Sequence, residues 1–304
     1  MAKKVLVYGG TGSQGGAVVT NLLRNGHHPY VLTRHPEKVA SMEGVQATVG
    51  DLADPDSLIA ASTGMDAVSL MIPAFLDDPT QSEAFMQNAI NAAKTAGVGL
   101  IVHNTSGPVV DKILNNPMYD VRLSVIKLLE TSGVPYIVIQ PTVYMENLMG
   151  PWTRPSVAQH DVLPYPSPAD ASMGWIASDD LGKLVVAAIE HPELANTRFV
   201  VSGADNLTGP ELAAQFSKGL GREITYYELP LEEFGAAIDA AFGPGAGEGA
   251  MAGYRFQREH ALKLTMWADM EPVLEKLPVQ LTSVAEWVQQ HAAAFQTEIV
   301  ADSN

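Results

Sequence analysis

The chain has 304 residues, 46% of them apolar and 17% charged, and carries 34 acidic against 18 basic side chains for a net charge of −16, with no cysteine. That composition supports one large or two modest cored domains and excludes a disordered chain, disulfides and thiolate chemistry. It also argues against nucleic acid and anionic membrane as partners, since both need cationic surface; no apolar run nears the roughly 20 residues of a membrane span, and the opening MAKKVLVYGG leaves no room for a cleaved signal, so a cytoplasmic protein is expected.

The first strand is the apolar run VLVY at 5–8, and it leads into Gly9, Gly10, Thr11, Gly12, Ser13, Gln14 and Gly15 before an amphipathic helix over 13–25. Strand, glycine turn and helix in that order make a dinucleotide site: the turn lets backbone approach a pyrophosphate, and the helix directs N–H groups and the positive end of its dipole at the phosphates. The second strand, 30–33, ends at Thr33 and Arg34, with no acid until Glu37. A ribose 2′-hydroxyl calls for Asp or Glu at this place and a 2′-phosphate for Arg, so Arg34, with Lys38 adding charge, points to NADP(H).

Further strands are expected at 46–50, 67–72, 100–104 and 136–140, with helices at 55–62, 80–96 and 118–132. Short apolar strands alternating with helices mean a doubly wound parallel sheet of the Rossmann type, with right-handed crossovers and ligands beyond the strand carboxyl ends. The loops there are the site candidates. After strand three, Asp51, followed by Leu52, either accepts from the adenine amino group or caps the helix near Pro55. After strand four, Pro73, Ala74 and Phe75 lie where the cofactor should run. Asn104, Thr105 and Ser106 follow strand five, and Pro141, Tyr144 and Asn147 follow strand six. In the C-terminal half, the proline-rich stretch 151–172 reads as a loop over the active site. The small-residue stretch 243–253 reads as a lid or loop between two helices. Trp152, Tyr165, Phe242, Met251, Tyr254 and Phe256 flank these stretches and either line an apolar pocket or belong to the core.

The Gly9–Gly15 turn, Thr33-Arg34, Gly50-Asp51-Leu52 and the run from Pro141 to Asn147 together resemble the NmrA-like group of atypical short-chain dehydrogenases/reductases. The likeness continues in the runs 175–182, 207–212 and 220–222 and reaches about residue 290. It implies an NADP-binding Rossmann domain over 1–150. It also implies a smaller C-terminal α/β substrate domain over 151–304, with about 175–202 returning to the first. Such proteins include reductases of carbonyls, quinones and plant phenolics, and regulators that bind the dinucleotide without catalysis.

Short-chain dehydrogenases pair a Ser after strand five with Tyr and Lys spaced Y-x-x-x-K. Ser106 is placed for this and Tyr119 follows at a plausible distance, but the lysine position holds Leu123. Many NmrA-like reductases carry a lone Lys about ten residues before a Ser-Gly, and here that position is Arg122. Arginine keeps the charge but gives up no proton, its pKa exceeding about 12; it could lower the pKa of a nearby Tyr or hold a ribose hydroxyl, and Lys127 is a substitute. Other chemistries lack support: there is no G-K-[ST], no H-E-x-x-H and no G-x-S-x-G, and a metal site is not expected. His103 ends strand five and reads more readily as a satisfied buried histidine than as a cofactor contact. The expectation is an NADPH-dependent reductase of a small apolar carbonyl compound or quinone, with Tyr119 as proton donor and Ser106 orienting the oxygen. The alternative is a non-catalytic NADP(H)-sensing regulator. The oligomeric state stays open between monomer and homodimer.

Overall fold

The computed structural model describes residues 1–72, 81–260, 264 and 266–296, the side chains of residues 117 and 118 excepted. In chain order the elements are β1 (Lys4–Tyr8), α1 (Ser13–Arg24), β2 (His28–Thr33), β3 (Gln46–Val49), α2 (Pro55–Ser62), β4 (Ala67–Leu70), α3 (Gln81–Ala96), β5 (Leu100–Asn104), α4 (Pro117–Ser132) and β6 (Tyr136–Pro141). There follow β7 (Val143–Tyr144), α5 (Arg154–His160), β8 (Val162–Tyr165), β9 (Met173–Ile176), α6 (Ser178–Glu190), β10 (Thr197–Val201), β11 (Asn206–Leu207), α7 (Gly209–Leu220), β12 (Thr225–Glu228), α8 (Leu231–Phe242), α9 (Ala246–Glu259), α10 (Glu271–Leu274) and α11 (Val284–Gln290). The chain divides into two compact units, one of Met1–Thr142, Ser178–Val201 and Ala268–Gln280, the other of Val143–Ala177, Ser202–Trp267 and Leu281–Asn304.

The first unit is a Rossmann-type α/β layer structure. Its seven-stranded sheet runs β10-β6-β5-β4-β1-β2-β3, and every ladder described in it is parallel. A parallel sheet covered by helices on both faces needs apolar residues pointing both ways, and Val5, Leu6 and Val7 of β1 are all fully buried. The strand order reverses between β1 and β4, so the loop after β1 opens at the switch point where doubly wound sheets take their ligands.

The second unit holds the sheets β11-β9-β7 and β12-β8. Its core is built on Trp175, Phe216, Trp287 and Phe295, each at most 2% exposed. Here two expectations fail. The stretch 151–172 is not one loop, because it contains α5 and β8. Pro155 sits in the first turn of α5, where a missing N–H costs nothing, and Pro164 lies in a strand whose one described ladder is with β12. The buried Thr153 hydroxyl donates to the Pro164 carbonyl at 2.7 Å and ties the two together.

The stretch 243–253 is not all loop either. From Ala246 onward it is α9, packed on α8. A Cβ on Gly247 would collide with the Gly235 carbonyl, so small residues here let two helices approach closely. Of the flanking apolar residues, Trp152 and Tyr254 both stack edge-on against Phe234, with Met251 packed in the same cluster. Tyr165 packs on Trp175 in the main core, while Phe242 is exposed.

Candidate dinucleotide site

The glycine turn is built for close approach. Gly9 adopts φ +68°, which an L side chain resists, and its carbonyl accepts from the Gly12 amide at 2.9 Å. A Cβ on Gly15 would strike that same carbonyl. α1 then starts at a Gly12 cap with no side-chain cap bond and no acid in its first turn. Other helices of the chain are capped: Asp54 caps α2 from its side chain, and α7 and α11 carry capping boxes from Thr208 with Glu211 and from Ser283 with Glu286. Of these four helices only α1 starts without a side-chain cap, and the positive end of its dipole fits a pyrophosphate. Thr11 and Ser13 lie exposed on this rim. The Ser13 hydroxyl is 3.4 Å from that of Ser178 at the start of α6. Sequence reasoning passed over Ser178, since a serine opening a helix reads as a cap whatever faces it.

Arg34 follows β2, with its side chain 70% exposed and a guanidinium nitrogen 3.7 Å from Asp51 Oδ2. Asp51 does not cap α2; that place belongs to Asp54. Its other oxygen accepts from the Ala53 amide at 2.9 Å, which fixes the carboxylate at the end of β3. Leu52 packs against the core while its carbonyl accepts from Asn88 at 2.9 Å. Lys38 lies exposed in the turn Pro36–Lys38. Pro73, Ala74 and Phe75 lie outside the described residues.

The structure brings Asn104, Ser106 and Gln14 together, although 90 residues separate Gln14 from Asn104. The Ser106 amide donates to Asn104 Oδ1 at 2.9 Å, Asn104 Nδ2 donates to Gln14 Oε1 at 2.8 Å, and Gln14 Nε2 donates to Ser106 Oγ at 2.9 Å. Ser106 is held at φ +55°, an uncommon conformation of the kind found at functional sites. The buried Thr105 hydroxyl donates to Gly107 O at 2.7 Å, and Arg122 Nε donates to Thr105 O at 3.2 Å from α4. The Arg122 guanidinium also lies against Gly107, so α4 grips this loop. Tyr119 is buried near the start of α4, and Leu123, the position of a Y-x-x-x-K lysine, is buried at 6% exposure. His103 is buried and its Nδ1–H donates to Leu70 O at 3.1 Å; burial pushes its pKa down to about 4 against that bond, so it stays neutral.

Pro141 ends β6 in the first unit, whereas Tyr144 and Asn147 belong to the second. Tyr144 is buried, and the exposed Asn147 bonds the buried Tyr165. Among the described residues no group of three or more His, Asp or Glu is placed to hold a metal, and no helix is long and apolar enough to cross a membrane.

Residues 1–288 match the NmrA-like family. The chain belongs to that family. A relative in Xenophilus azovorans, an NAD(P)H azoreductase, is 30% identical over 96% of this chain and 99% of its own length. Among solved structures, the Citrobacter sp. triphenylmethane reductase complexed with NADP(H) superposes with a TM-score of 0.77 at 21% identity, covering 94% of this chain and 99% of that one. NmrA, a negative transcriptional regulator solved in complex with NADP, superposes at 0.72 with 17% identity, covering 95% of each chain.

Proposed function

We propose that this NmrA-like protein is an NADPH-dependent reductase that passes a hydride to a small, largely apolar carbonyl compound or quinone. The observation that carries the reading is the bond between Gln14, on the first turn of the glycine-turn helix, and Ser106 after β5. A fold that only held phosphate would need no hydroxyl tethered beside the cradle. The relative named as NAD(P)H azoreductase supports an oxidoreductase. NADP(H) is the cofactor: Gly9, Gly12 and Gly15 form the pyrophosphate cradle, Thr11, Ser13 and Gln14 its rim, Arg34 with Lys38 meets the 2′-phosphate, and Asp51 with Leu52 borders the adenine. Asn104, Thr105, Pro141, Tyr144 and Asn147 are assigned to the nicotinamide side.

When bound, NADPH supplies the hydride, two electrons with one proton, and the acceptor takes its second proton elsewhere. Ser106 orients the acceptor oxygen and Tyr119 donates the proton. Arg122 holds the Thr105–Gly107 loop and places a fixed positive charge beside it. The partner is a small molecule, neither nucleic acid nor membrane, and the reaction is assigned to the cytoplasm. NADPH oxidation against quinones, aldehydes and ketones tests the reading, with Tyr119→Phe and Ser106→Ala each expected to lose most turnover. Full turnover in both variants overturns the residue roles.

A second reading, an NADP(H)-sensing regulator, is favoured by one observation: the Y-x-x-x-K lysine position holds the buried Leu123, and the lone-lysine position holds Arg122, a side chain that gives up no proton. Tight NADP(H) binding with no oxidation across that panel would select it.

A further inference from the structure

We infer that Gln14 fixes the polarity of the Ser106 hydroxyl, making it a hydrogen-bond donor toward the substrate. The inference rests on the reading above that Ser106 meets the substrate. The polarity can be traced from a group that has only one. A backbone N–H can only donate, and the Ser106 amide donates to Asn104 Oδ1. That pins the Asn104 amide, so its NH2 faces Gln14 and donates to Oε1. The Gln14 amide is pinned in turn, with its NH2 facing Ser106 Oγ at 2.9 Å. Ser106 Oγ is therefore an acceptor on the inner side. Its own hydrogen has no acceptor among the described residues and is left for an incoming group.

The direction matters for chemistry. Hydride delivery to a carbonyl or quinone builds negative charge on oxygen, and a hydroxyl aimed there must donate to stabilise it. The αL backbone at Ser106, clamped through Thr105 and Gly107 by Arg122, keeps the hydroxyl at the end of β5. The site therefore selects acceptors that carry a lone pair on or beside the atom receiving hydride. Gln14 itself is a positioning residue, acting through Ser106.

The test uses the full chain with NADPH and 2-methyl-1,4-naphthoquinone, with kcat read at saturation. Ser106→Ala should lose about a hundredfold, the usual scale for one such donor, and Gln14→Leu a comparable factor. Gln14→Glu keeps the size and still accepts from Asn104, but its carboxylate draws the Ser106 hydrogen inward. It should match Ser106→Ala near pH 8 and recover relative to wild type as pH falls toward the glutamic acid range near about 4.3, because the protonated acid donates again. Neither Gln14→Leu nor Ser106→Ala should show that recovery.

A second readout needs no turnover. In urea unfolding of Gln14→Leu, Ser106→Ala and the double variant, the double should be no less stable than the weaker single variant. Additive destabilisation, or wild-type kcat in both Gln14 variants with Ser106→Ala impaired, overturns this inference and leaves the proposed reductase standing. Full turnover in Ser106→Ala overturns the role given to that residue under the proposed function, and this one with it.

Discussion

Arg34 and Asp51 share one ion pair at the end of two neighbouring strands, and each has a consequence for cofactor choice. A charged, hydrogen-bonded phosphate contact is worth roughly 1.5–3 kcal/mol. The Arg34 side chain is 70% exposed, which favours the lower figure. Arg34→Ala should weaken NADPH binding about tenfold and leave NADH almost unchanged, which titration of both cofactors checks; equal losses would show that Arg34 reads no phosphate. Asp51→Asn should act in the opposite sense, tightening NADPH by releasing Arg34 and removing a charge that repels the phosphate. His103 supplies a pH prediction. Its native pKa of about 4 lies below the ordinary histidine value near 6.5, because burial disfavours the cation. Between those values the unfolded chain binds a proton that the native chain refuses. This contribution to stability is therefore present above about pH 6.5 and lost as pH falls toward about 4, by up to about 1.4 kcal/mol per pH unit. His103→Gln keeps a donor for Leu70 without the titration. Between about pH 7 and about pH 5, urea unfolding should show wild type losing about 2 kcal/mol more than the variant.

At the scale of elements, six of the seven strands of the first sheet were legible and β10 was not; a strand buried on both faces is a largely apolar run, as at 5–8, 100–102 and 136–139. The glycine turn was legible because its requirement, backbone that reaches φ +68° and tolerates the Gly9–Gly15 approach, is local. α9 was not. Its glycines, Gly247, Gly249 and Gly253, are poor helix formers, and together with Gly243 and Gly245 just before them they read as loop. It is a helix because Gly247 lets it seat on Gly235 of α8, and propensity within the segment cannot report a partner. Gly247→Val should force α8 and α9 apart and cost about 1–3 kcal/mol, read as a lower urea midpoint. An unchanged midpoint would mean that the helices do not depend on this contact. α5 and β8 were hidden for a related reason: prolines that read as loop signals occupy a first helical turn and a strand of a two-stranded sheet, two places where a missing N–H is tolerated.

At the scale of the whole molecule, the charge of −16 opposes the approach of an anionic dinucleotide. Salt should therefore speed NADPH association, by screening the long-range field, while it weakens the exposed Arg34 contact once formed. Stopped-flow measurement from about 10 to about 150 mM salt, where the screening length falls from roughly 30 to 8 Å, should show the association rate rising; a fall would mean that the local field of the site outweighs the net charge. Sequence alone determined the Rossmann-type fold, the family, the position of the glycine turn and the strand-end loops that carry Arg34, Asp51 and Ser106. Each of these depends on residues adjacent in the chain or on the two-faced burial of a single strand. Tertiary structure alone decided that Asp51 faces Arg34, that Arg122 grips the loop at Thr105, and that Gln14, Asn104 and Ser106 close into one set of hydrogen bonds. Apart from the local bond between the Ser106 amide and Asn104, those relations join residues 17 to 92 positions apart, and a hydrogen bond has a direction only once both of its partners are in place.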